Sequence, residues 1–318
     1  MPLRRPLRIA ALLAVFLVGV TGCMSVGARL VMPFYFKEAP LPDSQVRRDI
    51  PYRFDAAADD GKHRLDLFLP SPETPRPWPV LVFVHGGGWR RGDRALRMGG
   101  AEVYANIGRF LAGHGVGSAV ISYRLQPAVG WHAQVDDVAQ AVAWLATHLA
   151  ALGGDPKRIF LSGHSAGAQL VARVALDPEP LAALGLSPGS ICGLIPVSGA
   201  GFDLEDARTY ELGASTAYYE RRFRNAESDP DWAREASPVA HMGEFLPATL
   251  ILYADGDWPS LRRQSQLLGQ ALEARGSRVE TRVVEGEDHY TIVLTLSRDD
   301  RPAGEAILDF VTHTVCER

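Results

Sequence analysis

Residues 159–176 read IFLSGHSAGAQLVARVAL. Ile159, Phe160 and Leu161 are bulky and apolar, as in a buried strand. Leu170, Val171, Val174 and Ala175 recur at helical spacing. Between them lies Gly163-His164-Ser165-Ala166-Gly167. Glycines two residues before and two after the serine predict a strand-to-helix turn too crowded for side chains. Ser165 then stands at the first turn of a helix, where free N–H groups and a positive potential face it.

The flanking sequence repeats this alternation. Val80–Val84 (VLVFV) is an unbroken apolar run, the mark of a strand buried on both faces. Val116–Ser122, Cys192–Val197, Thr249–Tyr253 and Val279–Val284 are further strands. Val103–His114, Leu261–Arg275 and Ala303–Thr312 are helices. Gln134–Leu152 is a long helix with Val138, Val142, Leu145 and Leu149 on one stripe, stopped by Gly153-Gly154-Asp155-Pro156. Gln45–Phe54 and Arg64–Leu69 read as two early strands around an Ala56–Lys62 turn. Five prolines make 70–79 an exposed loop. The alternation predicts an α/β fold, a mostly parallel sheet with helices on both faces. Residues 199–246 are polar, aromatic and weakly periodic, and read as a small cap insertion carrying Tyr210, Tyr218, Tyr219, Phe223 and Trp232.

In such a sheet, sites form at the carboxyl ends of the strands. His85-Gly86-Gly87-Gly88-Trp89 follows the VLVFV strand directly. Three consecutive glycines cost backbone entropy and free N–H groups to face a ligand. Acyl transfer needs such donors where the tetrahedral oxyanion forms. Gly87 and Gly88 are the candidates from this loop, with Ala166 as the third. His85 is expected to shape the loop by hydrogen bonding, and Trp89 to wall an acyl pocket. A nucleophilic serine also needs a base. In the order serine, acid, histidine, only His289 follows the last strand in a suitable loop, Glu287-Asp288-His289-Tyr290. The acid falls at Asp255-Gly256-Asp257, with Asp257 preferred and Asp255 the alternative. Trp258 is the second pocket candidate, and Asp203 reads as a loop cap.

With these residues in place, the chain resembles α/β-hydrolases of the esterase/lipase group that carry an HGGG loop. It is similar to the carboxylesterase type B-like, feruloyl-esterase-like, prenylcysteine methylesterase and kynurenine formamidase branches. The shared residues are His85–Trp89, Tyr123-Arg124-Leu125, Gln134–Asp137, Gly153–Pro156, Gly163–Ala168, Ser198–Leu204, Asp257 with Arg263-Gln264-Ser265, and His289. Ala254 stands where the family often has glycine in its Gly-x-x-Asp. The resemblance covers about residues 50–312. It implies a serine hydrolase with Ser165, Asp257 and His289 as triad, acting without metal or cofactor on a small-molecule ester, while residues 199–246, too short for a large cap and aromatic, predict short or medium acyl chains. An amide-type hydrolase on the same triad is the alternative, and a non-catalytic lipid-anchored binding protein a third reading.

The first 22 residues stand apart. Arg4, Arg5 and Arg8 precede Ile9–Val20, an apolar run of 12 residues, too short for the ~20 of a membrane-spanning helix. Val20-Thr21-Gly22-Cys23 resembles the bacterial lipoprotein signal, which implies cleavage before Cys23 and a lipid anchor on it. Residues 23–45 then form a tether, and 46–318 the domain. The expectation is an exported cell-envelope lipoprotein, facing the periplasm from the outer membrane in a Gram-negative cell because Met24 follows the cysteine. With 47% apolar and 22% charged residues, the chain can bury a sizeable core. A net charge of −4 offers no basic surface for nucleic acid, and no GxGxxG or P-loop pattern points to a nucleotide. Cys192 reads as a buried strand residue and Cys316 as tail, so the two are expected to be unpaired.

Overall fold

The computed structural model describes residues 35–53, 61–224 and 229–316. The signal sequence, Cys23 and the Ala56–Asp60 part of the early turn lie outside them. Eight strands form one sheet: β1 Val46–Pro51, β2 Arg64–Phe68, β3 Trp78–Val84, β4 Gly117–Ile121, β5 Gly154–His164, β6 Ile191–Val197, β7 Ala248–Ala254 and β8 Val279–Val284. Their spatial order is β1-β2-β4-β3-β5-β6-β7-β8. Only the β1–β2 and β2–β4 pairings are antiparallel. The chain leaves β3 for β4 on one side, then crosses back to β5 on the other. The ends of β3 and β5 therefore flank the point where strand order reverses, and there a crevice opens.

The alternation along β3 assigns the two layers. Val80, Val82 and Val84 join one core, with α2 (Trp131–Leu152), α3 (Ala166–Leu176) and α7 (Pro259–Ala274). Leu81 and Phe83 join the other, with α1 (Val103–Gly113) and α9 (Pro302–His313). Both faces are thus dry, which is why these strands read as continuous apolar runs. α2 begins three residues before the expected Gln134, at Trp131 after Gly130, and ends where Gly153 turns left-handed at φ 100°. Between β6 and β7 lie three short helices, α4 (Ala207–Glu211), α5 (Thr216–Phe223) and α6 (Trp232–Ala236). A further short helix, α8 (Thr291–Thr295), follows His289.

Two expectations change. Residues 37–45 do not leave the domain as a tether. Asn106 on α1 accepts from the Ala39 N–H at 2.7 Å and donates to the Lys37 carbonyl at 2.8 Å, and Arg109 donates to Leu41. Cys192 and Cys316 form a disulfide. The tail is not remote from β6, because α9 runs back beneath the sheet. Phe310 meets Phe160 edge-on, and Arg158 donates to the Val311 carbonyl at 2.9 Å. The tail is thereby delivered to the face of β6 that carries Cys192. The bond closes a loop over a sequence separation of 124 residues, long enough to restrict the unfolded chain strongly. We expect Cys316→Ser to lose about 2–4 kcal/mol of unfolding free energy under oxidising conditions. Urea denaturation with and without reductant checks this, since reductant should bring the wild type down to the variant.

Candidate active site

Ser165 sits between β5 and α3 with φ 56° and ψ −118°, a conformation that costs of order 1–3 kcal/mol for a side chain. The neighbouring glycines have a measurable reason. A Cβ on Gly163 would lie 2.5 Å from the Gly167 carbonyl, and one on Gly167 would lie 2.3 Å from the Val84 carbonyl. The turn is therefore pressed against the end of β3. Ser165 N–H donates to the Val197 carbonyl at 3.0 Å, which ties the turn to β6 as well. Its hydroxyl stays partly exposed at the crevice.

His289 and Asp257 complete a line from that hydroxyl. His289 Nε2 lies 3.0 Å from Ser165 Oγ, and His289 Nδ1 lies 2.9 Å from Asp257 Oδ1. Asp257 is buried, and its other oxygen accepts from Ser198 Oγ at 2.5 Å and from the Ala254 N–H at 3.2 Å. A carboxylate with these donors is fixed in place and can hold the imidazole in one tautomer. Asp255 is exposed and accepts from the Gly286 N–H at 2.8 Å, so it caps that turn. Asp203 likewise accepts from the Glu205 N–H within its own loop.

Sequence reading passed over two supports of this line. Ser198 carries no role in the sequence beyond its place in the shared Ser198–Leu204 stretch. His164, inside the serine motif, points inward; its Nε2–H donates to the His289 carbonyl at 2.8 Å. Burial pulls the His164 pKa down to about 3, and the nearby His289 ring adds to the effect. It is a neutral strut behind the base.

The glycine loop has three left-handed residues in succession, Gly87 (φ 127°), Gly88 (φ 61°) and Trp89 (φ 62°). Among the described residues, the N–H groups of Gly87, Gly88 and Ala166 find no backbone acceptor, while Gly87 O takes the N–H groups of Arg90 and Arg91. Gly87 is exposed and Gly88 half-buried, so a ligand can reach them. His85 Nδ1–H donates to the Gly86 carbonyl at 2.8 Å, and its ring stacks on Tyr123. Burial lowers the His85 pKa to about 4. Trp89 does not wall an opening. Its side chain is buried, donates to Gln169 on α3 at 3.0 Å and packs edge-on to Phe223, so it anchors the loop. Trp258 does lie at the mouth, 51% exposed, with its ring 4.8 Å from that of His289. Among the described residues, no group of three or more His, Cys, Asp or Glu side chains could hold a metal ion. No helix among them is long and apolar enough to cross a membrane.

Known proteins resemble this chain in sequence and in fold. Residues 81–293 match a family described as alpha/beta hydrolase fold. Esterase LipC of Mycobacterium tuberculosis is 32% identical over 205 residues, covering 63% of this chain and 49% of LipC. Isoprenylcysteine alpha-carbonyl methylesterase ICME of Arabidopsis thaliana is 28% identical over 283 residues, covering 84% of this chain and 62% of that protein. The chain thus spans about half to three-fifths of the length of these curated relatives. Among solved structures, esterase B from Lactobacillus rhamnosis superposes with a TM-score of 0.69 at 19% identity, covering 96% of this chain and 94% of that one. The Est2 esterase of Thermogutta terrifontis, with propionate bound, gives 0.61 at 23% identity, covering 88% and 93%.

The buried imidazoles make stability depend on pH. Unfolding returns His164 and His85 to water, where each binds a proton below its ordinary pKa of ~6.5. The folded state refuses those protons until the pH approaches 3 and 4. Unfolding free energy therefore falls as pH is lowered through 6.5 and keeps falling toward pH 4. We expect His164→Asn to lose one proton from this dependence, a slope shallower by about 1.4 kcal/mol per pH unit. Denaturant titrations from pH 7 to 4 on both proteins measure it.

Proposed function

Since the chain belongs to the alpha/beta hydrolase fold family, we propose that it is a serine esterase acting through Ser165, His289 and Asp257. The observation that carries this reading is the unbroken line Ser165 Oγ–His289 Nε2 and His289 Nδ1–Asp257 Oδ1, at 3.0 and 2.9 Å. Ser165 Oγ attacks the ester carbonyl while His289 Nε2 takes its proton. Asp257 stabilises the imidazolium. The N–H groups of Gly87, Gly88 and Ala166 stabilise the oxyanion. His289 passes the proton to the departing alkoxide, leaving Ser165 acylated. Water, deprotonated by His289, then frees the acid and restores Ser165. Every proton stays within the triad and the reactants.

The names of the relatives, esterase and methylesterase, support ester over amide as the bond cleaved. Short or medium acyl groups suit the site, because α5 and its aromatic residues lie close over the glycine loop. The N-terminal residues and the disulfide together support export. Arg4 to Cys23 carry the lipoprotein pattern, and a Cys192–Cys316 bond persists in an oxidising compartment. The protein then works at the cell envelope, anchored through Cys23 and taking small-molecule esters.

Hydrolysis of p-nitrophenyl acetate, butyrate and decanoate by the purified protein tests the activity. We expect turnover of the two shorter esters to exceed that of decanoate. Ser165→Ala should lower kcat by at least ~10³-fold and Asp257→Asn by ~10⁴-fold. Turnover that rises steadily with chain length contradicts the acyl preference, and an active Ser165→Ala contradicts the mechanism. For the anchor, Cys23→Ser should move the protein from the membrane to the soluble fraction and abolish labelling by a radioactive fatty acid.

A further inference from the structure

Two donors converge beside the glycine loop, and the reaction above uses neither. A Cβ placed on Gly88 would lie 2.5 Å from the Tyr218 hydroxyl oxygen and 4.0 Å from Arg222 Nη2. Both side chains come from α5. Arg222 is held firmly, with Nε donating to the Gly88 carbonyl at 3.1 Å and Nη1 to the Tyr218 carbonyl at 2.8 Å. Its guanidinium lies 3.3 Å from the centre of the Tyr218 ring, which fixes the phenol by a cation–π contact. Among the described residues, neither the Tyr218 hydroxyl nor Arg222 Nη2 is hydrogen-bonded to a group outside this pair. Both groups lie beside Gly88, next to the N–H groups proposed to hold the oxyanion.

The charge there is unbalanced. Arg222 is half-buried, and burial holds its guanidinium below the ordinary range, with Arg90 and Arg221 pushing the same way. Among the described residues, no carboxylate pairs with Arg90, Arg91, Arg221 or Arg222. Nearby Glu220 is engaged by Arg224 at 3.2 Å, and Asp93 by Lys62 at 2.6 Å. The chain as a whole carries −4, so this cationic rim runs against its overall sign. A carboxylate beside Arg222 would relieve the repulsion and accept from both donors in charge-assisted bonds.

We propose that Tyr218 Oη and Arg222 Nη2 form a subsite for a carboxylate carried by the substrate, so that the preferred substrates are acidic esters. This rests on the esterase reading above and sharpens it. Two matched pairs of esters test it. p-Nitrophenyl hemiglutarate against p-nitrophenyl valerate places the carboxylate on the acyl side. 4-Acetoxybenzoate against phenyl acetate places it on the alcohol side.

We expect the acidic member of one pair to be favoured roughly tenfold in kcat/KM, mostly through KM, the scale of one charge-assisted hydrogen bond. Arg222→Gln should bring that ratio close to one and Tyr218→Phe should reduce it, each read within one variant so that a general loss of activity cancels. Sodium chloride should lower the ratio in the wild type. If neutral esters are equal or better in both pairs, or the preference survives Arg222→Gln, the subsite is wrong while the esterase stands. If the wild type hydrolyses no ester, both readings fall together. Should Arg222→Gln not fold, the wild-type ratio and Tyr218→Phe decide the question.

Discussion

The site depends on a steric lock between a strand and a helix. Gly167 on α3 lies so close to the end of β3 that any side chain there would collide with the Val84 and His85 carbonyls. That contact fixes the distance between Ser165 and the glycine loop, since one sits at the start of α3 and the other at the end of β3. Neither piece can move alone. The strain at Ser165 is sustained because β3, β6 and α3 hold the turn from three sides. The proposed oxyanion donors, from both pieces, thus keep a fixed spacing without side chains of their own.

Behind the lock lies a second constraint, the disposal of charge in a dry interior. Asp257 is buried and is made tolerable by His289, Ser198 and the Ala254 N–H. His164 and His85 are buried too, and they avoid the cost by remaining neutral. At the crevice the Asp257 carboxylate therefore faces the His289 imidazole. The neutral rings fill space and donate hydrogen bonds without adding competing charge.

Much of this was legible in the sequence. The strands of the parallel core are buried on both faces, so they appear as apolar runs whose edges differ from the observed ones by a few residues. Gly163, Gly167 and the Gly86–Gly88 run stood out because crowded or left-handed backbone leaves no other choice. Asp257, His289 and Ser165 could be placed by their order after successive strands. The rest failed for reasons of distance. Cys316 could be paired with Cys192 only once α9 was known to return under β6. Trp89 was misjudged because a position beside a functional loop does not say which way a ring points. Tyr218 and Arg222 sit on a short helix with weak periodicity, and no local pattern announces that they lean over Gly88.

The strand order has a consequence for how the protein comes to be active. β3, β5, β6 and β7 pair in parallel, so each neighbouring contact spans a full crossover, and such non-local pairings form slowly. Ser165 follows β5 and His289 follows β8, 124 residues apart in the chain. Pairing must be completed from β5 to β8 before the imidazole reaches the hydroxyl. A nascent or threading chain, however much local helix it has formed, therefore carries an inert serine. Under the proposed mechanism, hydrolysis would therefore be a readout of completed folding.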